Sequence, residues 1–117
     1  GGFAVALAEC CFTGGGGADV AIARAAAAGM PSGFDGPTAA LFSESASRAI
    51  VSVAAGRTAD LLARAAALNV PAAVIGRSGG DRLRIAIDGE AVIDCAVAEA
   101  EQHWTNGLAT YFESKVA

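Results

Sequence analysis

The chain is predicted to be an α+β domain, a mixed, largely antiparallel sheet covered by helices. Two observations predict it. Helical and strand periodicities alternate along the chain, in the order helix, strand, helix, strand, helix. A strand hairpin and a last helix then close it: Asp88-Gly89 has two-residue type I′ turn chemistry between apolar runs, and hairpins favour antiparallel pairing.

Gly1 to Phe12 reads as a helix, with Phe3, Val5, Leu7, Cys10 and Cys11 among alanines and Glu9 as its one charge. A helix apolar on nearly every side is expected to be buried on more than one face. Gly14-Gly15-Gly16-Gly17 stops it, since glycine allows turns that other residues resist. Ala18 to Ala23 alternates, with Val20 and Ile22 on one face, and predicts a strand. From Arg24 to Gly36, glycines and Pro31 break any regular element, leaving at most one helical turn at Ala25 to Ala28. Pro37 to Phe42 is a short helix, with proline in the first turn where its missing N–H costs nothing.

Arg48 to Val53 predicts a second strand, and Gly56 a turn. Thr58 to Leu68 is an amphipathic helix whose buried stripe is Leu61, Leu62, Ala65 and Leu68. Asp60 and Arg64 are spaced to pair on its surface. Asn69 is placed to end it in a left-handed conformation, and Val70-Pro71 prevents continuation. Strands are expected at Ala73 to Arg77, Arg82 to Ile87 and Glu90 to Ile93. Leu83, Ile85 and Ile87 share one face. Asp94 is expected to cap a final helix, Cys95 to about Phe112. Its stripe is Val97, Ala100, Trp104, Leu108 and Tyr111, interrupted by Gly107 at about 1 kcal/mol relative to alanine.

With 117 residues, residues 1–117 suffice for one domain with one core. Hydrophobic residues make up 54% and charged ones 17%, a composition that folds. The net charge is −4 and the eight Lys and Arg are scattered singly, which argues against nucleic acid as a partner. No apolar run is long enough to span a membrane, and no charged leader with a cleavage site stands at the start. Cys10, Cys11 and Cys95 are an odd set without C-x-x-C spacing, and read as small buried hydrophobes of a reducing cytoplasm. His103 is the one histidine, which excludes a His-rich metal site. The glycine run lacks the following Lys-Ser/Thr of a phosphate cradle. Gly1-Gly2-Phe3 enters a helix without cap or leader, so the chain is expected to be part of a longer protein.

Two stretches could carry chemistry. The first is Leu41-Phe42-Ser43-Glu44-Ser45-Ala46-Ser47-Arg48, which runs straight into an apolar alternation. A carboxylate and a guanidinium at such a junction could orient an amide or anchor a phosphate, or simply pair to hold the turn. The second is Gly1-Gly2, where free N–H groups at a helix start could meet an anion. A third cluster, Gly76-Arg77-Ser78-Gly79-Gly80-Asp81, reads as a glycine-set turn.

These segments resemble the AIR-synthase C-terminal type of domain, in the form found in phosphoribosylformylglycinamidine synthase. Leu41, Phe42, Glu44, Ser45 and Arg48 match the family's Leu-Phe-Gly-Glu-Ser-x-x-Gly-Arg or a near variant, while Ser43 and Ser47 stand where glycine is common. Gly1-Gly2-Phe3-Ala4-Val5-Ala6-Leu7-Ala8-Glu9 is similar to the family's Gly-Gly-Leu-Ala-x-Ala-Leu-Ala-Glu, without the Asp-x-Ser-x that precedes it. Gly76 to Leu83 is similar to its Ile-Gly-x-x-x-Gly-Asp-x-Leu segment, and Trp104, Leu108 and Phe112 to its closing Trp-x-x-x-Leu-x-x-x-Phe pattern.

The resemblance implies the α+β fold and a C-terminal piece of an ATP-dependent, amidine-forming ligase of purine synthesis. Gly1, Gly2, Ser43, Glu44, Ser45 and Arg48 would border its substrate or phosphate groove. ATP and Mg²⁺ would bind mainly outside this chain. Its partners would be N-terminal ATP-binding domains and a glutaminase subunit or domain. A free apolar sheet would also favour homodimers. The competing expectation is a non-catalytic binding or assembly module.

Overall fold

In a computed structural model, residues 1–23 and 36–116 are described. The predicted crossing from Arg24 to Gly36 therefore lies almost entirely outside the described residues. In order come α1 (Gly2–Gly14), β1 (Ala18–Ile22), α2 (Pro37–Phe42), a 3-10 turn (Ala55–Arg57) and α3 (Thr58–Ala67). β2 (Gly76–Ser78), β3 (Arg82–Ile87), β4 (Glu90–Ala96) and α4 (Val97–Val116) follow.

The sheet runs β2-β1-β3-β4. β1 is parallel to β3 and antiparallel to β2, and β3 and β4 form the antiparallel hairpin, so the sheet is mixed as expected. Asp88 and Gly89 take φ of 50° and 84°, the left-handed pair a type I′ turn demands. Ala4, Leu7 and Cys11 of α1 and Ala40 and Leu41 of α2 close over Val20, Leu83, Ile85 and Ile87. The alternation of β3 thus carries the core, and Ile85 is fully buried.

Several sequence expectations are corrected. Residues 48–53 form no strand. They lie beside edge strand β2, where Ser52 Oγ and Ser78 Oγ meet at 3.1 Å, but share no ladder with it. Alternation marks a backbone that could pair, whereas a strand exists only where N–H and C=O groups find partners. Accordingly Val51 stays 63% exposed. β2 begins at Gly76 rather than Ala73, because the antiparallel register would set Ala73 and Val74 against the point where β1 ends.

α3 forms as predicted and Asn69 ends it at φ 54°. Its apolar stripe is not buried, however: Leu68 is 64% exposed, and α3 touches little beyond the 3-10 turn. Asp60 pairs with Arg57 at 3.3 Å rather than with Arg64. Cys11 is buried, and burial pushes its thiol up, as a packed hydrophobe would be; Cys10 is exposed and Cys95 half-buried, against the expectation for all three.

The last correction involves the hairpin register. A two-residue turn with regular pairing would set Asp94 opposite Leu83, on the core face. Instead the register shifts between Ile85 and Ala86, where Val92 is extra, and Cys95 faces Leu83 while Asp94 faces Arg84. A one-residue slip exchanges the faces of everything beyond it. Here it spares the domain a buried carboxylate. Asp94 is therefore a strand residue, ion-paired to Arg82 at 2.8 Å, and not the cap of α4. The helix starts at Val97, whose N–H donates to the Asp81 carbonyl at 2.9 Å.

Candidate functional site

The two stretches singled out in the sequence meet in space. α2 ends at Phe42, and the Ser43 N–H closes it by donating to the Ala39 carbonyl at 3.0 Å. The start of α1 lies against this end. A Cβ on Gly2 would stand 2.6 Å from the Phe42 carbonyl carbon, and Gly2 has φ +78°. Both facts require glycine: there is no room for a side chain, and the conformation is left-handed. Gly1-Gly2 is thus a close approach of two backbones, and it brings the chain's first nitrogen to Glu44.

The Glu44 carboxylate accepts a hydrogen bond from the Gly1 amine. That hydrogen bond holds the Glu44 carboxyl below its usual range. The contact's contribution is complete above the ordinary carboxylate range and is lost as pH falls through the lowered value. Full exposure keeps it small. Where a polypeptide continues upstream of Gly1, the same atom is an amide N–H and still donates.

Arg48 takes a different partner. Its Nη2 reaches the Ser43 carbonyl at 3.4 Å, spanning the turn. Glu44 and Arg48 therefore do not pair with each other; one ties the turn to α1 and the other closes it. Ser43 is half-buried, while Glu44, Ser45 and Arg48 are exposed. The result is a solvent-facing turn with a carboxylate, a hydroxyl and a guanidinium on a rigid base of α1 and α2. Such a turn can accept from an amide or hydroxyl and donate to an anion.

The two positions where the family favours glycine behave differently. Ser43 is extended, at φ −70° and ψ 144°, and needs no glycine. Ser47 has φ 65°, in the left-handed region, so its backbone is still the one a glycine would choose. Ser47→Gly is expected to stabilise the domain by about 0.5–1 kcal/mol, read as a rise in urea midpoint. A fall would mean that the hydroxyl holds the turn.

The Gly76–Asp81 cluster is the glycine-set turn expected, with Gly79 and Gly80 at φ 131° and 70°. Beside it lies a charge array that sequence reading missed. Across the outer sheet face Arg77, Asp19, Arg84 and Asp94 occupy one row, alternating in sign. Arg84 Nη1 meets Asp19 Oδ1 at 3.1 Å, and Arg82 flanks the row on Asp94. Asp19, Asp81, Arg82, Arg84 and Asp94 line an open groove of about 300 Å³. The missed signal was Arg82-x-Arg84, two cations on the polar face of a strand. Their charges are met within the sheet, so the row reads as cross-strand support.

A family model described as AIR synthase related protein, C-terminal domain, matches residues 1–88. The chain belongs to this family. The phosphoribosylformylglycinamidine synthase subunit PurL of Thermomicrobium roseum is 43% identical over 109 residues, 92% of this chain and 14% of that protein. Those of Lactobacillus delbrueckii subsp. bulgaricus and Moorella thermoacetica are 38% and 36% identical, over 98% and 92% of this chain. The resemblance drawn from the motifs is thus to the same kind of protein. The Lactobacillus match takes in nearly all of α4, which lies beyond the family model. The chain spans about 14% of the length of the curated relatives it matches. No solved structure matches. Among the described residues, no helix is long and apolar enough to cross a membrane.

Proposed function

We infer that this chain is the closing domain of a longer ligase of purine biosynthesis. The reaction would convert formylglycinamide ribonucleotide, ATP and glutamine-derived ammonia to formylglycinamidine ribonucleotide. The observation that carries this reading is the likeness to PurL proteins along nearly the whole chain, including α4 beyond the family model. The site geometry supports it: the Gly1-Gly2 and Ser43–Arg48 segments, far apart in sequence, form one turn-and-helix-start surface. That surface would border the substrate or nucleotide groove, with Arg48 and Ser45 toward a phosphate and Glu44 toward an amide or hydroxyl.

The remaining machinery would come from elsewhere. Among the described residues no group of three His, Cys, Asp or Glu stands close enough together to hold a metal ion. ATP and Mg²⁺ would be held by N-terminal domains, and ammonia supplied by a glutaminase subunit or domain. The exposed apolar stripe of α3 and the unpaired residues 48–53 support such neighbours, since apolar surface of this kind ordinarily marks an interface. The same exposure also favours the second reading, an assembly module without catalytic residues.

The test is made in the longer polypeptide that carries this segment. Glu44→Gln and Arg48→Ala are each expected to lower kcat/KM about 10- to 100-fold, the loss of one charged hydrogen bond to substrate. Arg57→Ala, on the distant 3-10 turn, should leave it unchanged. Unaltered kinetics in both site variants would favour the assembly module, and turnover by the isolated 117-residue chain would overturn the closing-domain reading.

A further inference from the structure

Gly2 is the point where the backbones of α1 and α2 touch. A Cβ there would stand 2.6 Å from the Cα and the carbonyl carbon of Phe42 and 2.7 Å from its carbonyl oxygen. Atoms in ordinary contact are about 3.5–4.0 Å apart, so a side chain at Gly2 would drive the start of α1 and the end of α2 about 1 Å apart. All three are main-chain atoms and cannot swing aside as the tip of a side chain does.

The end of α2 depends on that contact. The helix has six residues and no side-chain cap, and a helix so short does not hold itself. Its place comes from packing. Ala40 and Leu41 share the core with Ala4 and Leu7 of α1, and the Phe42 backbone rests on Gly2.

Just beyond Phe42 stands Glu44, with its side chain 74% exposed. A glutamate so exposed ordinarily moves among several rotamers. Here Oε1 accepts from the Gly1 nitrogen, next to the backbone contact, and this fixes the carboxylate at one oxygen. A carboxylate has a second acceptor oxygen, and among the described residues Oε2 takes no partner.

We propose that Gly2 is a positioning residue of the site. Bare of a side chain, it lets the start of α1 hold Glu44 by one oxygen and leaves the other to accept from the N–H or O–H of a substrate. Gly2 itself touches no substrate. It acts through the Phe42 backbone and the Gly1 nitrogen. The inference rests on the reading of Glu44 as a substrate contact and adds what orients it.

The test uses the longer polypeptide that carries this segment. Gly2→Ala is expected to lower kcat/KM about 10- to 100-fold, the scale of loss from a misplacement of about 1 Å. In a Glu44→Ala background the same change should cost at least about 5-fold less, because the side chain that Gly2 positions is already gone. In Gly2→Ala, hydrogen exchange should quicken at Ser43, whose N–H closes α2 on the Ala39 carbonyl, and protection across β3 should be unchanged. With Glu44→Gln impaired, parental kinetics in Gly2→Ala or an equal cost in both backgrounds would overturn the proposal. So would lost protection across β3, which would make Gly2 a residue of the fold alone. Parental kinetics in Glu44→Gln would instead remove the substrate contact itself, and this inference with it.

Discussion

Ile85→Ala is expected to destabilise the domain by about 2–5 kcal/mol, a large share of the roughly 5–15 kcal/mol that holds a domain together. Ile85 is fully buried and sits mid-way along β3, between β1 and β4. Much of the surrounding core is alanine: Ala4, Ala18, Ala39 and Ala40 are all buried. Short side chains cannot reach into a void left at Ile85, so the cavity persists and its cost is added to the lost transfer energy. The measurement is the urea midpoint at unchanged slope. Leu61→Ala on α3 is the control. Leu61 is 36% exposed and outside the core, so less than about 1 kcal/mol should be lost there. An Ile85 shift no larger than the Leu61 shift would mean that the core is elsewhere.

Gly76→Ala is expected to cost about 2–3 kcal/mol, although it adds one methyl group. That methyl would overlap the Asp19 carbonyl oxygen and stand 2.7 Å from the Val20 Cα. Both are backbone atoms of β1, which is pinned between β2 and β3 and cannot retreat. The alternative is for β2 to peel away, breaking the Ala21 N–H to Ile75 carbonyl bond of 2.7 Å. Hydrogen exchange at the Ala21 amide distinguishes the two outcomes: early loss of protection means peeling, and uniform loss means global destabilisation. Gly14→Ala is the contrast, since nothing lies within 4 Å of its Cβ position and the residue is helical. It should be neutral or stabilising by up to about 1 kcal/mol. Similar behaviour in the two variants would refute the close approach at Gly76.

The Glu44 site was partly legible because its pieces are local. Ser43 to Arg48 could be read as a polar turn, and Pro37 to Phe42 as the helix before it, from neighbours in sequence. The partners were not legible. Sequence allowed Glu44 to pair with Arg48, four residues on, whereas Glu44 meets Gly1 and Arg48 meets the Ser43 carbonyl. Which partner a charge takes depends on what another segment brings within reach, and α1 arrives from more than forty residues away. The left-handed Ser47 was hidden for a related reason: serine does not advertise that conformation as glycine does.

The sequence by itself determined the α+β class, the helices α1 to α4, the Asp88-Gly89 turn and the buried face of β3. Each rests on interactions a few residues long: helical bonds, turn dihedrals, or the period of a strand. Tertiary structure decided the rest. It left residues 48–53 unpaired, exposed the apolar stripes of α3 and α4, and set the bulge that turned Asp94 from helix cap to sheet ion pair. Periodicity shows which face of an element could be buried. Whether that face is buried depends on a partner surface, and a partner surface is a property of the assembled fold.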